Sequence, residues 1–162
     1  MLVPTLCSPG FFALEEPPAK PKAQPAPMVD GLAAMPDTWI PQGNCRAYVT
    51  SPWGADNATV TRNPRKVSMD LDAAFSPDVE FTDLGSGRVK AFIDMPWPLS
   101  NIKAEGPMTY NPANDTVHFQ DERTPRTADM WQLSDGRVHV VVHDPQRGRI
   151  DLQLTRLSAK NP

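Results

Sequence analysis

Residues 130–154, MWQLSDGRVHVVVHDPQRGRIDLQL, constrain the fold more than any other stretch of the chain. They read as three antiparallel strands joined by two turns. Asp135-Gly136 is a two-residue hairpin signal, since a type I′ turn needs positive φ at both central positions. That turn sets Leu133 against Val138, Gln132 against His139 and Trp131 against Val140. Alternate side chains of a strand point to opposite faces. Trp131, Leu133, Val138, Val140 and Val142 are therefore expected on one face, and Gln132, His139 and His143 on the other. The second turn, Asp144-Pro145-Gln146-Arg147-Gly148, has the Pro/Gly chemistry and the length of a hairpin loop. Pairing His143 with Arg149 sets Val142 against Ile150, Val140 against Leu152 and Val138 against Leu154. Both turns predict the same apolar face, which a one-residue slip would invert.

The rest of the chain carries the same punctuation. Cys45–Thr50 reads as a strand and Thr59–Arg62 as a short edge strand. Lys66–Asp72 alternates, with Val67, Met69 and Leu71 inward and Ser68, Asp70 and Asp72 outward. Val79–Leu84 and Arg88–Ile93 flank Gly85-Ser86-Gly87, a glycine-rich hairpin. Met108–Tyr110 and Thr116–Phe119 flank Asn111–Asp115, and pairing Tyr110 with Val117 sets Met108 against Phe119. No long amphipathic helix competes. The expected fold is all-β: an antiparallel sandwich, jelly-roll or barrel of about 8–10 short strands.

Proline divides the chain. It supplies 19 of 162 residues, against a typical ~5%, and nine of the 19 fall within the first 41 positions. Residues 15–28, EEPPAKPKAQPAPM, form a proline-rich tether of the kind that stays extended and disordered. Val29–Met35 is expected to make one or two helical turns, stopped by Pro36. This gives an N-terminal tail over 1–36, one all-β domain over 37–158 with Trp39 and Ile40 as its first core residues, and a short tail over 159–162. The opening MLVPTLCSPGFFAL lacks a basic stretch and is broken by Pro4 and Pro9; it reads as a remnant of a signal peptide rather than a complete one. With the tether behind it, this points to a periplasmic or otherwise extracytoplasmic protein, where Cys7 and Cys45 are a candidate disulfide.

Composition excludes some classes. A net charge of -3 with an isoelectric point near 5.5 argues against a nucleic-acid surface, which usually carries a basic patch. No apolar run reaches the ~18 residues of a membrane helix, so a transmembrane protein is not expected.

Candidate chemistry is thin. His139 and His143 stand four apart, but on a strand that is about 13 Å at about 3.3 Å per residue. Zinc nitrogens sit about 2.0–2.1 Å from one ion, so the pair cannot chelate together, and no metal site is expected with His118 either. Asp70, Asp72, Asp78, Glu80 and Asp83 are an acidic stretch without a calcium-loop pattern and read as a solvated face. There is no Gly-x-Ser-x-Gly elbow, no cysteine beside a histidine in a nucleophile pattern and no phosphate-binding glycine loop. No catalytic residue, no cofactor and no enzymatic activity are expected. Trp97, in Met95-Pro96-Trp97-Pro98-Leu99, reads as a cap on the end of the domain or as an anchor for a partner.

Residues 102–133 resemble one repeat of the periplasmic lipopolysaccharide-transport bridge family, the organic-solvent-tolerance type of β-jelly-roll. The matching residues are Ile102-Lys103-Ala104, Tyr110, the turn Asn111–Asp115, Thr116-Val117-His118-Phe119 and Ala128-Asp129-Met130. The resemblance covers about a fifth of the chain. Gln120-Asp121-Glu122 departs from the Gly-Asn-Val usual after the alternating strand. The resemblance implies an open jelly-roll whose apolar interior holds acyl chains. Lipocalin-like carriers are a second analogy, but Trp39 follows Asp37-Thr38 where those carriers have Gly-x-Trp.

Two readings of function follow. The first is a β-domain that binds an apolar or amphipathic, lipid-like ligand, with Met108, Tyr110, Phe119, Trp131, Val140 and Leu152 as wall residues. The second is a structural subunit of an envelope or virion assembly, in which residues 1–36 dock on a neighbouring protein and the same apolar residues fill a closed core.

Overall fold

The computed structural model describes residues 29–52, 54–72, 78–95 and 98–159. Its strands are β1 (Val29–Asp30), β2 (Gly43–Ser51), β3 (Gly54–Asn63), β4 (Lys66–Leu71), β5 (Asp78–Gly85), β6 (Arg88–Asp94), β7 (Ile102–Asn111), β8 (Thr116–Gln120), β9 (Thr127–Gln132), β10 (Val138–Asp144) and β11 (Gly148–Ala159). Strands β2 to β11 run antiparallel in sequence order, with β11 pairing β2 and β7 also pairing β8, so ten strands close into a barrel. Of the architectures compatible with the sequence, the barrel is the one formed. Closure pairs each strand on both sides and removes the exposed edges that an open sheet leaves. β3 is accordingly not a short edge strand but ten residues long, paired on both sides.

Antiparallel order puts alternate connections at opposite ends. The turns after β3, β5, β7 and β9 lie at one end, and the connections after β2, β4, β6, β8 and β10 at the other. The first end is sealed. β1 pairs β7 through Val29 and Tyr110, then a 3-10 turn at Gly31–Ala34 carries the chain beneath the barrel. Leu32, Ala34 and Met35 are each 1% exposed, and Trp39 and Ile40 are buried with them. Arg62, inward-facing at the foot of β3, holds this plug by donating to the Ile40 carbonyl at 2.7 Å and pairing with Asp37 at 3.4 Å. The Leu32 amide donates to Asp83 at 3.3 Å. Residues 29–36, assigned to the tail in the sequence reading, thus pack on the barrel, with Gly31, Leu32, Ala34 and Met35 buried. The predicted turn of helix before Pro36 is present in 3-10 form.

The β10–β11 register follows the sequence reading, with Val142 opposite Ile150, Val140 opposite Leu152 and Val138 opposite Leu154. The pairs Tyr110–Val117 and Met108–Phe119 also form as expected. The β9–β10 register does not. Val138 faces Gln132, His139 faces Trp131 and Val140 faces Met130. The turn is not type I′, since Gly136 is at φ 91° while Asp135 is not among the residues with positive φ. The Gly136 amide donates to the Leu133 carbonyl at 2.9 Å, and the Leu133 amide to the Arg137 carbonyl at 2.7 Å. This is a three-residue loop ending in a left-handed glycine. One extra loop residue turns Met130 inward and Trp131 outward.

The seam between β7 and β8 is unusual. Ladder pairing covers only Met108–Asn111. Towards the unplugged end the Glu122 amide donates to the Glu105 carbonyl at 2.9 Å, and side chains then replace the ladder. Asp121 accepts the Glu105 amide at 3.2 Å, and Arg126 donates to the Lys103 carbonyl at 3.3 Å. A Cβ on Gly106 would stand 1.9 Å from the Gln120 carbonyl oxygen, so only glycine permits this approach.

Candidate functional site: an apolar lumen

Inward side chains behave differently in the two halves of the barrel. Near the plug they pack solidly: Ala58, Val60, Val67, Val89 and Val117 are all at most 1% exposed. Beyond them, residues of the same inward parity are only half-buried, among them Met69, Leu71, Val79, Phe81, Ile93, Val140, Val142 and Leu152. What they face is a cavity of about 330 Å³. Ile102, Ala104 and Met108 of β7, Phe119 of β8, and Ala128 and Met130 of β9 complete the wall. Ala91, Ala104 and Ala128 place small side chains at three points where bulkier ones would fill the space.

Among the described residues, polar groups reach the lumen only near its mouth, from Ser51, Asp56, Arg126 and Thr127. Arg126 is fixed by its surroundings. Its Nε donates to Asp144 Oδ2 at 2.8 Å, and its Nη1 lies 3.7 Å from Asp121 Oδ2. The two carboxylate side chains are 0% and 2% exposed. Burial alone would raise the Asp144 carboxyl, but Arg126 and the Arg147 and Gln146 amides outweigh it and hold the group below the usual carboxylate range. Burial likewise opposes ionisation of Asp121, and the Thr124 hydroxyl, the Glu105 and Arg123 amides and the Arg126 charge outweigh it. Both stay ionised at neutral pH. Arg126 did not stand out in the sequence: it lies in the charged run Asp121-Glu122-Arg123-Thr124-Pro125-Arg126, and it faces Asp144 only in the β9–β10 register that the two-residue turn reading misses.

Four of the six predicted wall residues, Met108, Phe119, Val140 and Leu152, line the lumen. Tyr110 has the right parity but lies below the lumen, packed against the core, with its hydroxyl donating to Asp115 at 2.5 Å. Trp131 is on the outside, its ring 4.7 Å from that of His139. Met130, 5% exposed, takes the inward place the sequence reading gave to Trp131. His118 is also outward and pairs with Asp129 at 2.7 Å, while His139 lies 3.6 Å from Asp151. Among the described residues, no three His, Cys, Asp or Glu side chains meet as metal ligands. Cys45 is 2% exposed in the packed half, and burial pushes its thiol pKa up. Cys7, its candidate partner, and Trp97 lie outside the described residues.

Fold and site together define a closed, blind-ended antiparallel barrel with an apolar lumen. No protein-family model, no curated protein and no solved structure matches the chain. Among the described residues, no helix is long and apolar enough to cross a membrane.

Proposed function

We propose that this protein is a non-enzymatic binding domain that takes an apolar or amphipathic, lipid-like molecule into its lumen, in an extracytoplasmic compartment. The observation that carries the proposal is the hollow itself. At ~24 cal/mol per Å³, leaving 330 Å³ unpacked forgoes about 8 kcal/mol, comparable to the ~5–15 kcal/mol total stability of a domain. A domain serving only as a structural subunit has no use for such a space, and leucine in place of Ala91, Ala104 or Ala128 would reduce it. The volume is at the lower end of the ~300–1,000 Å³ typical of small-molecule sites.

The test is displacement of the uncharged dye Nile red, followed by fluorescence. Saturable binding is expected, and Ala128→Phe, which fills the lumen from β9, should weaken it at least tenfold while the melting temperature stays within a few degrees. Tyr48→Ala, on the exterior at 39% exposure, should change nothing. Binding that survives Ala128→Phe and disappears in Tyr48→Ala would show that the dye reports the outer surface, and the proposal would fail.

A further inference from the structure

We infer that the lumen selects a single-chain amphiphile with an uncharged polar head, held tail-first; this rests on the carrier reading above. The plug makes the lumen a blind sac, and Met108, Met130 and Phe119 line it without a polar partner. A molecule polar at both ends would bury one end unpaired against that wall, which desolvation disfavours. At the ~30 Å³ occupied by a water, the volume holds on the order of ten heavy atoms, enough for one chain and not two.

The mouth decides the head. Among the described residues Arg126 is the cation on the lining, and an anionic head would be expected to seek it. Its charge is already taken: Asp144 is at 2.8 Å and Asp121 at 3.7 Å, both fixed by other donors. Arg147, 3.7 Å from Asp144, brings this group of two cations and two anions to zero. Asp56 then adds a carboxylate to the lining, and it already accepts the Asn57 amide at 2.8 Å. An anion at the mouth would lose hydration, share one guanidinium with two fixed carboxylates and face a third. A cation would lose hydration beside Arg126, and Asp56, the carboxylate that would attract it, is already engaged by the Asn57 amide. An alcohol, ester or amide head meets neither penalty, and Thr127 brings a hydroxyl to the same rim.

The experiment compares 1-decanol, decanoate and decylammonium as competitors of Nile red on the full chain at pH 7.5 and low salt. Decanol is expected to bind at least tenfold more tightly than either ion. Decanoate or decylammonium equal to or tighter than decanol would overturn the head-group assignment and leave the carrier reading standing. Failure of all three to displace the dye would overturn both.

Discussion

A blind sac of fixed depth makes chain length the sharpest variable. Each methylene moved from water to an apolar wall contributes about 0.8 kcal/mol, close to a fourfold change in Kd. Extending a straight-chain alcohol from six to ten carbons should therefore tighten binding about 200-fold, since four methylenes supply about 3.2 kcal/mol. The gain ends when the lumen is full. At ~30 Å³ per heavy atom, 330 Å³ places that break at about ten carbons. Ten methylenes give about 8 kcal/mol before any cost of association, so micromolar Kd is the upper limit of affinity. Isothermal titration calorimetry of the series reads both the slope and the break, and burial of apolar surface should appear as a negative heat-capacity change. Ala128→Phe should move the break to a shorter chain without altering the slope before it. A flat series, or one that steepens past ten carbons in both proteins, would refute the argument that a closed lumen holds the ligand.

Other expectations concern the plug, the seam, the mouth and the register. Leu32→Ala, at a site 1% exposed, should destabilise the fold by about 2–5 kcal/mol in urea titration, which a mere tail residue would not. Gly106→Ala forces Gln120 away from β7 and should cost about 1–3 kcal/mol or more, with amide exchange of Glu105 and Glu122 rising first; protection unchanged at both would count against the seam described. The depressed native pKa values of Asp121 and Asp144 mean that their contribution to stability is complete above the unfolded value of about 3.9 and is lost as the pH falls through the native ones. Urea midpoints should therefore drop from about pH 5 downward, and the drop should shrink in an Asp121→Asn, Asp144→Asn double variant. Trp131→Ala should leave alcohol binding unchanged, whereas Met130→Trp should abolish it.

The sequence discloses most of the barrel's inside because alternation and turn chemistry agree along β4, β7, β8, β10 and β11. Where they were read apart, the reading failed. Asp135-Gly136 has the composition of a two-residue turn, yet only its glycine takes positive φ, and the loop gains a residue. Asp129 held the correction: it shares a face with Trp131, so an inward Trp131 would have carried a carboxylate into the apolar wall. The plug was harder to read. Leu32 and Met35 sit in a proline-rich setting and form no repeating pattern, so only the barrel's open foot explains their burial. The mouth was not legible, because Arg126 meets Asp144 only in the true β9–β10 register, and Lys103 and Asp121 join them only at the seam. The cavity depends on a difference of packing volume, which alternation does not encode.

The plug also gives the molecule a front and a back. Val29 and Ala159, the first and last described residues, both lie at the sealed end, since β1 meets the foot of β7 and Ala159 pairs with Cys45 at the foot of β2. The mouth is a full barrel height away, about 25 Å for ten residues tilted against the axis. Whatever is joined at Val29 or Ala159, whether an anchor, a neighbouring domain or a fused reporter, attaches at the base. Under the proposed binding role, cargo would be exchanged on the side facing away from the attachment, and loading and release would need no movement of whatever holds the barrel in place.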